Sequence, residues 1–386
     1  MSGSASEGTS LFGSGRLQVD FSELAGRTFE CLDRCQLCCL CQPEVLPEER
    51  RFFREDFPEK LILKRSPRRL AALALKKGRG SCSFLEGRRC MIYDNRPHSC
   101  RRFPLRFYVG SRVQTELDLS CRGVWSGKGE NALLIGSAMA NEDAEVLMIT
   151  LSESKRVYEE FFQNCMEFGV YSPPDKLRNE VASRIRSFAE LPYIAKVLEM
   201  STQEDEIDLS KVESLEGEMN DMADLEAAAR ETAMDSLSSI DPVALPVYCD
   251  ETGEWNVFEA KNGIVEWSIL DEAGDMHRKR SIDPKEIRLT PPDSAGTEVL
   301  VDYLRILNNR DSVLGHAYYL IDDYGYEDSI SNVYCGDLAT SVLDLLWRTS
   351  LLIHVRGGKP DLDGMREGII FYDMDRLDAP TIGAFV

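Results

Sequence analysis

Nine of the twelve cysteines in this 386-residue chain lie between Cys31 and Cys121. Cysteine thiolates are the ligands of iron–sulphur clusters and of many zinc sites, and each such centre takes about four of them. A dense first group consists of Cys31, Cys35, Cys38, Cys39 and Cys41, and a spread second group consists of Cys82, Cys90, Cys100 and Cys121. The residue types and their spacing therefore predict a metal centre.

The second group has gaps of 8, 10 and 21 residues, which are too long for one metal-binding loop. Folding must therefore bring the two groups together. A free cysteine can pack as a small hydrophobe, but five cysteines within eleven positions argue against that interpretation here. Cys41 is left as a spare, and Cys165, Cys249 and Cys335 are expected in the core. The predicted metal ligands are Cys31, Cys35, Cys38, Cys39, Cys82, Cys90, Cys100 and Cys121.

The identity of the metal stays open between iron and zinc, because both accept four thiolates. Widely spread cysteines beside a dense loop favour a 4Fe-4S cluster, and eight ligands would allow two centres. Thiolate centres carry net negative charge, which basic side chains can offset through hydrogen bonds. The arginines expected in that role are Arg88, Arg89, Arg96, Arg101 and Arg102.

These motifs resemble the YkgJ-type cysteine cluster family of zinc- or iron-chelating proteins. The opening Cys31, Cys35, Cys38 and Cys39, the segment GSCSFLEGRRCMIYDNRP, the motif RPHSCRRFPL, and the later Cys121-Arg122-Gly123 and Gly127-Lys128-Gly129-Glu130 carry the resemblance. It covers about a quarter of the chain and implies metal chelation. The family is distantly similar to flagellin lysine-N-methylase, so the resemblance also implies a protein-methylating enzyme as an alternative. No glycine-rich methyl-donor loop following a strand accompanies it.

Charge divides the chain into two unlike parts. Residues 1–129 hold 23 Lys and Arg against 15 Asp and Glu, whereas the rest holds 22 against 51. The acidic half is predicted to bind a protein partner, with a simply solvated surface as the alternative. Nucleic acid is disfavoured because no aromatic platform or known recognition motif accompanies the arginines. Without an export signal or a long apolar run, we predict a cytoplasmic protein with no membrane contact.

The predicted fold class is α+β. Residues 1–15 are predicted to be a disordered leader, 16–129 the cysteine domain, 130–200 a helical segment, 201–240 an acidic linker or a loosely held helix, and 241–386 an α+β domain. Short helices are expected at 47–57 and 66–77 within the cysteine domain, from capping signals and apolar periodicity.

In the C-terminal part, strands are expected at 244–249, 254–259 and 263–270, and helices at 295–308 and 337–354. The dipeptide Asn262-Gly263 predicts a tight hairpin.

Three functions remain as hypotheses from the sequence. The leading one is an iron–sulphur protein with a redox, sensing or partner-docking role. The second is a cluster-dependent protein lysine N-methylase, and the third is a purely structural zinc module. No catalytic residue is predicted.

Overall fold

The computed structural model describes residues 9–11, 17–63, 71–212, 222–238 and 245–386, with the backbone alone for 9–11 and 63. It is a mixed α+β protein, as predicted. Most of the predicted leader at 1–15 lies outside the described residues. The bounds of the predicted domains remain predictions.

Eleven α-helices occur in the described ranges. They are α1 Arg50–Asp56, α2 His98–Arg102, α3 Ala132–Glu142, α4 Ala144–Phe168, α5 Pro174–Ser183, α6 Leu191–Ser201, α7 Met222–Ser236, α8 Ser294–Asn309, α9 Asp311–Asp323, α10 Ile330–Arg356 and α11 Leu362–Leu377. Helices α3 to α6 confirm the predicted helical character of the middle segment, and α8 and α10 contain the two helices predicted near the C-terminus.

The strands of the described ranges are short and form five small sheets. They are β1 Thr9–Leu11, β2 Gln18–Asp20, β3 Thr28–Phe29, β4 Glu44–Val45, β5 Leu61–Leu63, β6 Ala71–Leu73, β7 Leu85–Glu86, β8 Arg89–Cys90, β9 Leu105–Val109, β10 Val113–Leu117, β11 Glu130–Asn131, β12 Val247–Cys249, β13 Trp255–Lys261, β14 Ile264–Leu270, β15 Met276–Ile282 and β16 Ala384–Phe385.

One five-stranded sheet joins three distant parts of the chain in the order β1-β2-β10-β9-β16. The hairpin β9–β10 comes from the cysteine region, and it pairs on one side with the N-terminal β2 and on the other with the C-terminal β16. Helices pack on this sheet and complete one large apolar core. The cysteine region is therefore built into the body of the protein.

A buried ion network fastens these parts together. The fully buried Arg310 donates to Glu23 at 2.8 Å, to Asp373 at 2.7 Å and to the Leu117 carbonyl oxygen at 2.8 Å. Tyr303 Oη donates to Asp373 as well, at 2.8 Å. Because each buried charge has an opposite partner and further hydrogen bonds, the network ties the N-terminal segment, β10, α8 and α11 into one unit.

Glu116 on β10 is a second buried charge. Its carboxylate accepts hydrogen bonds from the backbone N–H and the hydroxyl of Ser312, at 3.0 and 2.6 Å. Burial raises the pKa of Glu116 to about 7, although Arg310 nearby opposes the rise. This group therefore favours its protonated form in the folded protein far more than an exposed glutamate does.

Helix α10 is the central helix of the helical core. Among the described residues, it is the one helix long and apolar enough to cross a membrane by length and composition, and 78% of its most apolar window is buried inside the protein. It packs against α6, α7, α9 and α11. Such burial is typical of a helix in a protein core.

The strand meander predicted after residue 241 is confirmed. Strands β12, β13, β14 and β15 form one antiparallel sheet in sequence order. Asn262 and Gly263 join β13 to β14, and both have positive φ, at 51° and 78°. A two-residue turn with positive φ at both positions matches the twist of the flanking strands. The tight hairpin predicted from Asn262-Gly263 is therefore confirmed.

One local prediction differs from the structure. The helix predicted at 66–77 is wrong over its described part, where β6 pairs with β4 and β5 and a short 3₁₀ turn follows. All three side chains of β6 are buried, so tertiary pairing overrides the helical spacing. The segment predicted as an acidic linker or a loosely held helix contains α7, which buries Leu225, Ala229 and Ala233 and packs against α10.

Candidate metal centre

The dense cysteine group lies on a sharply turning loop. Arg34 and Gln36 both take left-handed backbone conformations, with φ of 69° and 41°, and a 3₁₀ turn follows at Leu37–Leu40. The backbone N–H of Cys39 donates to the Gln36 carbonyl at 2.9 Å. These reversals replace a regular helix or strand and turn successive thiols toward the same side of the loop.

Close backbone contact brings Cys121 to this loop. Strand β3 pairs with β11, and the N–H of Glu30 donates to the Gly123 carbonyl. A Cβ on Gly123 would lie 1.7 Å from the Glu30 oxygen, and a Cβ on Gly129 would lie 2.2 Å from the Phe29 oxygen. Only glycine permits this approach, so these two glycines bring the loop after Cys121 against the one before Cys31.

The remaining cysteines arrive from three short elements. The backbone N–H of Cys82 donates to the Cys39 carbonyl at 2.7 Å, so this loop lies directly on the dense group. Cys90 ends the hairpin strand β8 opposite Leu85, and Cys100 lies within α2. Turns and short elements therefore position these thiols.

Two adjoining cavities result, and together the eight predicted ligands line them. The first cavity, of about 320 Å³, is lined by Cys31, Cys35, Cys38, Cys100 and Cys121. The second cavity, of about 360 Å³, is lined by Cys31, Cys38, Cys39, Cys82, Cys90 and Cys100. Cys41, which the sequence analysis set aside as a spare, lines neither. The structure thus brings the two sequence groups together, although the assignment of these cysteines as ligands remains a prediction.

The thiols surround these cavities without meeting at a point. Across the ranges that the structure describes, no three Cys, His, Asp or Glu side chains are arranged to hold a single metal ion as they stand. Apolar side chains complete the walls, with Ile135 and Met139 at the first cavity and Leu73 and Ile92 at the second.

Burial is the main cause that raises the pKa of four thiols at the site, whereas a hydrogen bond with Cys249 lowers the pKa of Cys35 to about 7. Burial acts on Cys82, Cys90, Cys100 and Cys121, and for each of them a neighbouring thiol raises the pKa further through charge repulsion. Thiolates crowded in an apolar cavity are unfavourable without a cation. A metal that displaces the thiol protons would relieve both penalties, so this donor set fits a thiolate-bound metal.

The five arginines predicted to offset thiolate charge divide into two kinds. Arg96 lines both cavities, and Arg88 and Arg89 line the second. Arg101 lines the first cavity but lies 3.8 Å from Glu49, and Arg102 lies 3.6 Å from Asp143. Arg88 also lies 3.9 Å from Glu272, but the acidic contacts of Arg101 and Arg102 tie α2 to the N-terminal ends of α1 and α4.

A contact with the C-terminal sheet was not found by sequence reasoning. Trp255 Nε1 donates to the Cys35 carbonyl at 2.7 Å, and Arg88 stacks on the Trp255 ring at 3.4 Å from its centroid. Cys249, expected in the core, is fully buried, and its thiol contacts the same carbonyl. Because more than 200 residues separate these partners, no local pattern in the sequence indicates the contact.

Residues 30–122 match the family model CxxCxxCC, which is described as a "Putative zinc- or iron-chelating domain". The matched range contains all eight predicted ligands. No curated protein and no solved structure matches the chain. The comparisons therefore support metal binding in general, and they do not show the resemblance to flagellin lysine-N-methylase.

Proposed function

We propose, on the premise that residues 30–122 belong to the CxxCxxCC family of zinc- or iron-chelating domains, that this protein binds an iron–sulphur cluster of the 4Fe-4S type. The ligands come from the eight thiols around the two cavities. The single observation that carries the proposal is that thiols from both sequence groups line shared cavities, with Cys31, Cys38 and Cys100 common to both.

The arrangement of the thiols supports a cluster over one zinc ion. A tetrahedral zinc site draws four sulphurs to about 2.3 Å from one point. A cluster of several iron and sulphide atoms fills more space and holds its cysteine sulphurs farther apart. Thiols placed around cavities of about 320 and 360 Å³, with no ready single-ion set among the described residues, fit the larger centre better.

The surrounding residues suit a redox or sensing role. A bound cluster supplies one-electron transfer, and its potential depends on burial and on hydrogen bonds to sulphur. Ile135, Met139 and Ile92 form apolar parts of the walls, and the Arg96 guanidinium offsets negative charge. These side chains set the electrostatic environment of the centre, which is what a redox protein adjusts.

We also propose that the acidic half docks a basic protein partner. The exposed surface of α4 carries apolar side chains at Val146, Ile149 and Phe168, each more than half exposed. Exposed acidic residues accompany them, namely Glu145, Glu153, Glu159, Glu160 and Glu167. Exposed apolar and acidic side chains along one helix suit a partner with basic and apolar side chains. The cytoplasmic location remains a prediction.

The test of the cluster is purification without oxygen, followed by iron, zinc and acid-labile sulphide analysis and a visible spectrum. We expect iron with equimolar sulphide and a broad visible absorption band. A Cys38→Ser variant should lose most of both, whereas Cys165→Ser, which alters a cysteine outside the site, should keep them. Stoichiometric zinc in a colourless protein would overturn the cluster, and a metal-free folded protein would overturn metal binding altogether.

A further inference from the structure

Cys249 lies at the edge of the metal site although it belongs to another part of the chain. It ends β12 in the C-terminal sheet, more than 120 residues beyond Cys121, and its side chain is fully buried. Its thiol lies 3.8 Å from the Cys35 carbonyl oxygen, and it also hydrogen-bonds the Cys35 side chain. The matched family range ends at residue 122, so it leaves this cysteine out.

Two hydrogen bonds fix the backbones of Cys249 and of its neighbour Cys35. On one side, Arg122, the residue after Cys121, donates from Nε to the Cys249 carbonyl at 2.6 Å. On the other, Trp255 of the adjacent strand donates to the Cys35 carbonyl at 2.7 Å. The side chains of Leu37 and Val247 belong to the same small apolar core as Cys249 and close the contact from water.

The two cavities do not share the thiols equally. Three of the cysteines are common to both cavities. Cys39, Cys82 and Cys90 belong to the second cavity alone, whereas only Cys35 and Cys121 belong to the first alone. Cys249 lines neither cavity, but it contacts Cys35 and is linked through Arg122 to the segment of Cys121, and these are the two cysteines that line the first cavity alone.

We propose that Cys249 is a further metal ligand, which the C-terminal sheet supplies on the side of Cys35 and Cys121. This rests on the proposed function, namely that the site holds a metal. On binding, the Cys249 thiol loses its proton to solvent and its sulphur bonds the metal. Metal binding then joins the cysteine loops to the strand meander through metal–sulphur bonds. The metal therefore stabilises the contact between these two parts.

The test uses the full-length chain, stripped of metal without oxygen and titrated with Co²⁺, whose thiolate charge-transfer absorption reports the number of bound sulphurs. Variants Cys249→Ser and Cys249→Ala are compared with Cys335→Ser, a buried cysteine in α10 away from the site. Serine keeps a hydrogen-bond donor beside Cys35 but removes the thiolate. We expect both Cys249 variants to lose about a quarter of the absorption of a four-thiolate site, and Cys335→Ser to lose none.

A second measurement does not depend on the variants folding. In the wild-type chain in mild denaturant, alkylation followed by peptide mass spectrometry should label Cys249 several-fold more slowly with Co²⁺ bound than without, whereas Cys335 should show a much smaller change. Equal labelling of Cys249 in both states, or full absorption in Cys249→Ser, would overturn the inference. A wild-type chain that is folded but free of metal after purification without oxygen would instead remove the proposed function on which it rests.

Discussion

Replacing Gly123 by alanine tests how the cysteine loops are brought together. The added Cβ would lie 1.7 Å from the Glu30 carbonyl oxygen. Real Cβ atoms essentially never come within 3.0 Å of a heavy atom outside their own residue and its chain neighbours. The two backbones must therefore part by at least 1.3 Å. Metal–ligand distances tolerate about 0.2 Å. Because Glu30 precedes Cys31 and Gly123 follows Cys121 by two residues, this separation moves both cysteines relative to each other.

We expect Gly123→Ala to weaken metal binding about 10–100-fold, the range seen when the groups that orient ligands are changed. The overpacked loop should also cost about 1–3 kcal/mol of unfolding free energy. Metal per chain after dialysis against a chelator, and urea unfolding of the metal-free chain, measure the two effects.

The matched control for this substitution is Gly336→Ala in α10, where the new Cβ meets no backbone atom but only the Ser201 side chain, with Oγ at 2.9 Å, which can rotate away, and Cβ at 3.2 Å. This control should keep its metal. The reasoning fails if Gly123→Ala retains metal as firmly as the wild-type chain, because the close approach of the loops would then be irrelevant to the site.

Two further predictions concern buried charges. The pKa of Glu116 is raised to about 7 from an ordinary value of 4.5, so its contribution to stability is present below about pH 4.5 and is lost as the pH rises through about 7. The unfolding free energy of Glu116→Gln, relative to that of the wild type, should rise by about 2.5 kcal/mol between pH 5 and pH 8 in urea titrations, and a pH-independent difference would contradict this. Arg310→Met leaves two buried carboxylates unpaired and should cost about 3–5 kcal/mol by urea unfolding, against less than about 0.5 kcal/mol for Arg305→Gln, whose partner Asp302 is exposed. Equal losses in these two arginine variants would rule out the network as a stabilising unit.

Much of the candidate site could be predicted because cysteine is chemically specific. Thiols such as Cys38 and Cys82, forty-four residues apart, stood out by type and crowding alone, and the structure places both at one cavity. Cys41, the predicted spare, lines neither cavity. The choice among iron, zinc and the number of centres was not open to sequence reasoning, because the same thiolates serve each of them.

Local signals predicted the elements well where local physics decides them. The Asn262-Gly263 hairpin needs positive φ at both residues, and few other dipeptides accept that. The segment at 71–73 reads as helix by spacing, yet its burial between two neighbouring strands decides its conformation. Likewise the composition of the α7 segment leaves a linker and a loosely held helix open, and the burial of Leu225, Ala229 and Ala233 against α10 decides for the helix.

By itself, the amino-acid sequence determined which atoms can bind metal, because ligand chemistry belongs to the side chain. It also determined where the chain turns tightly. Only the tertiary structure decided that β9 and β10 lie between the two chain ends, that Arg310 joins Glu23 to Asp373, and that Cys249 meets Cys35. Contacts of this kind depend on the packing of residues more than sixty positions apart, and no pattern within one segment encodes such a distance.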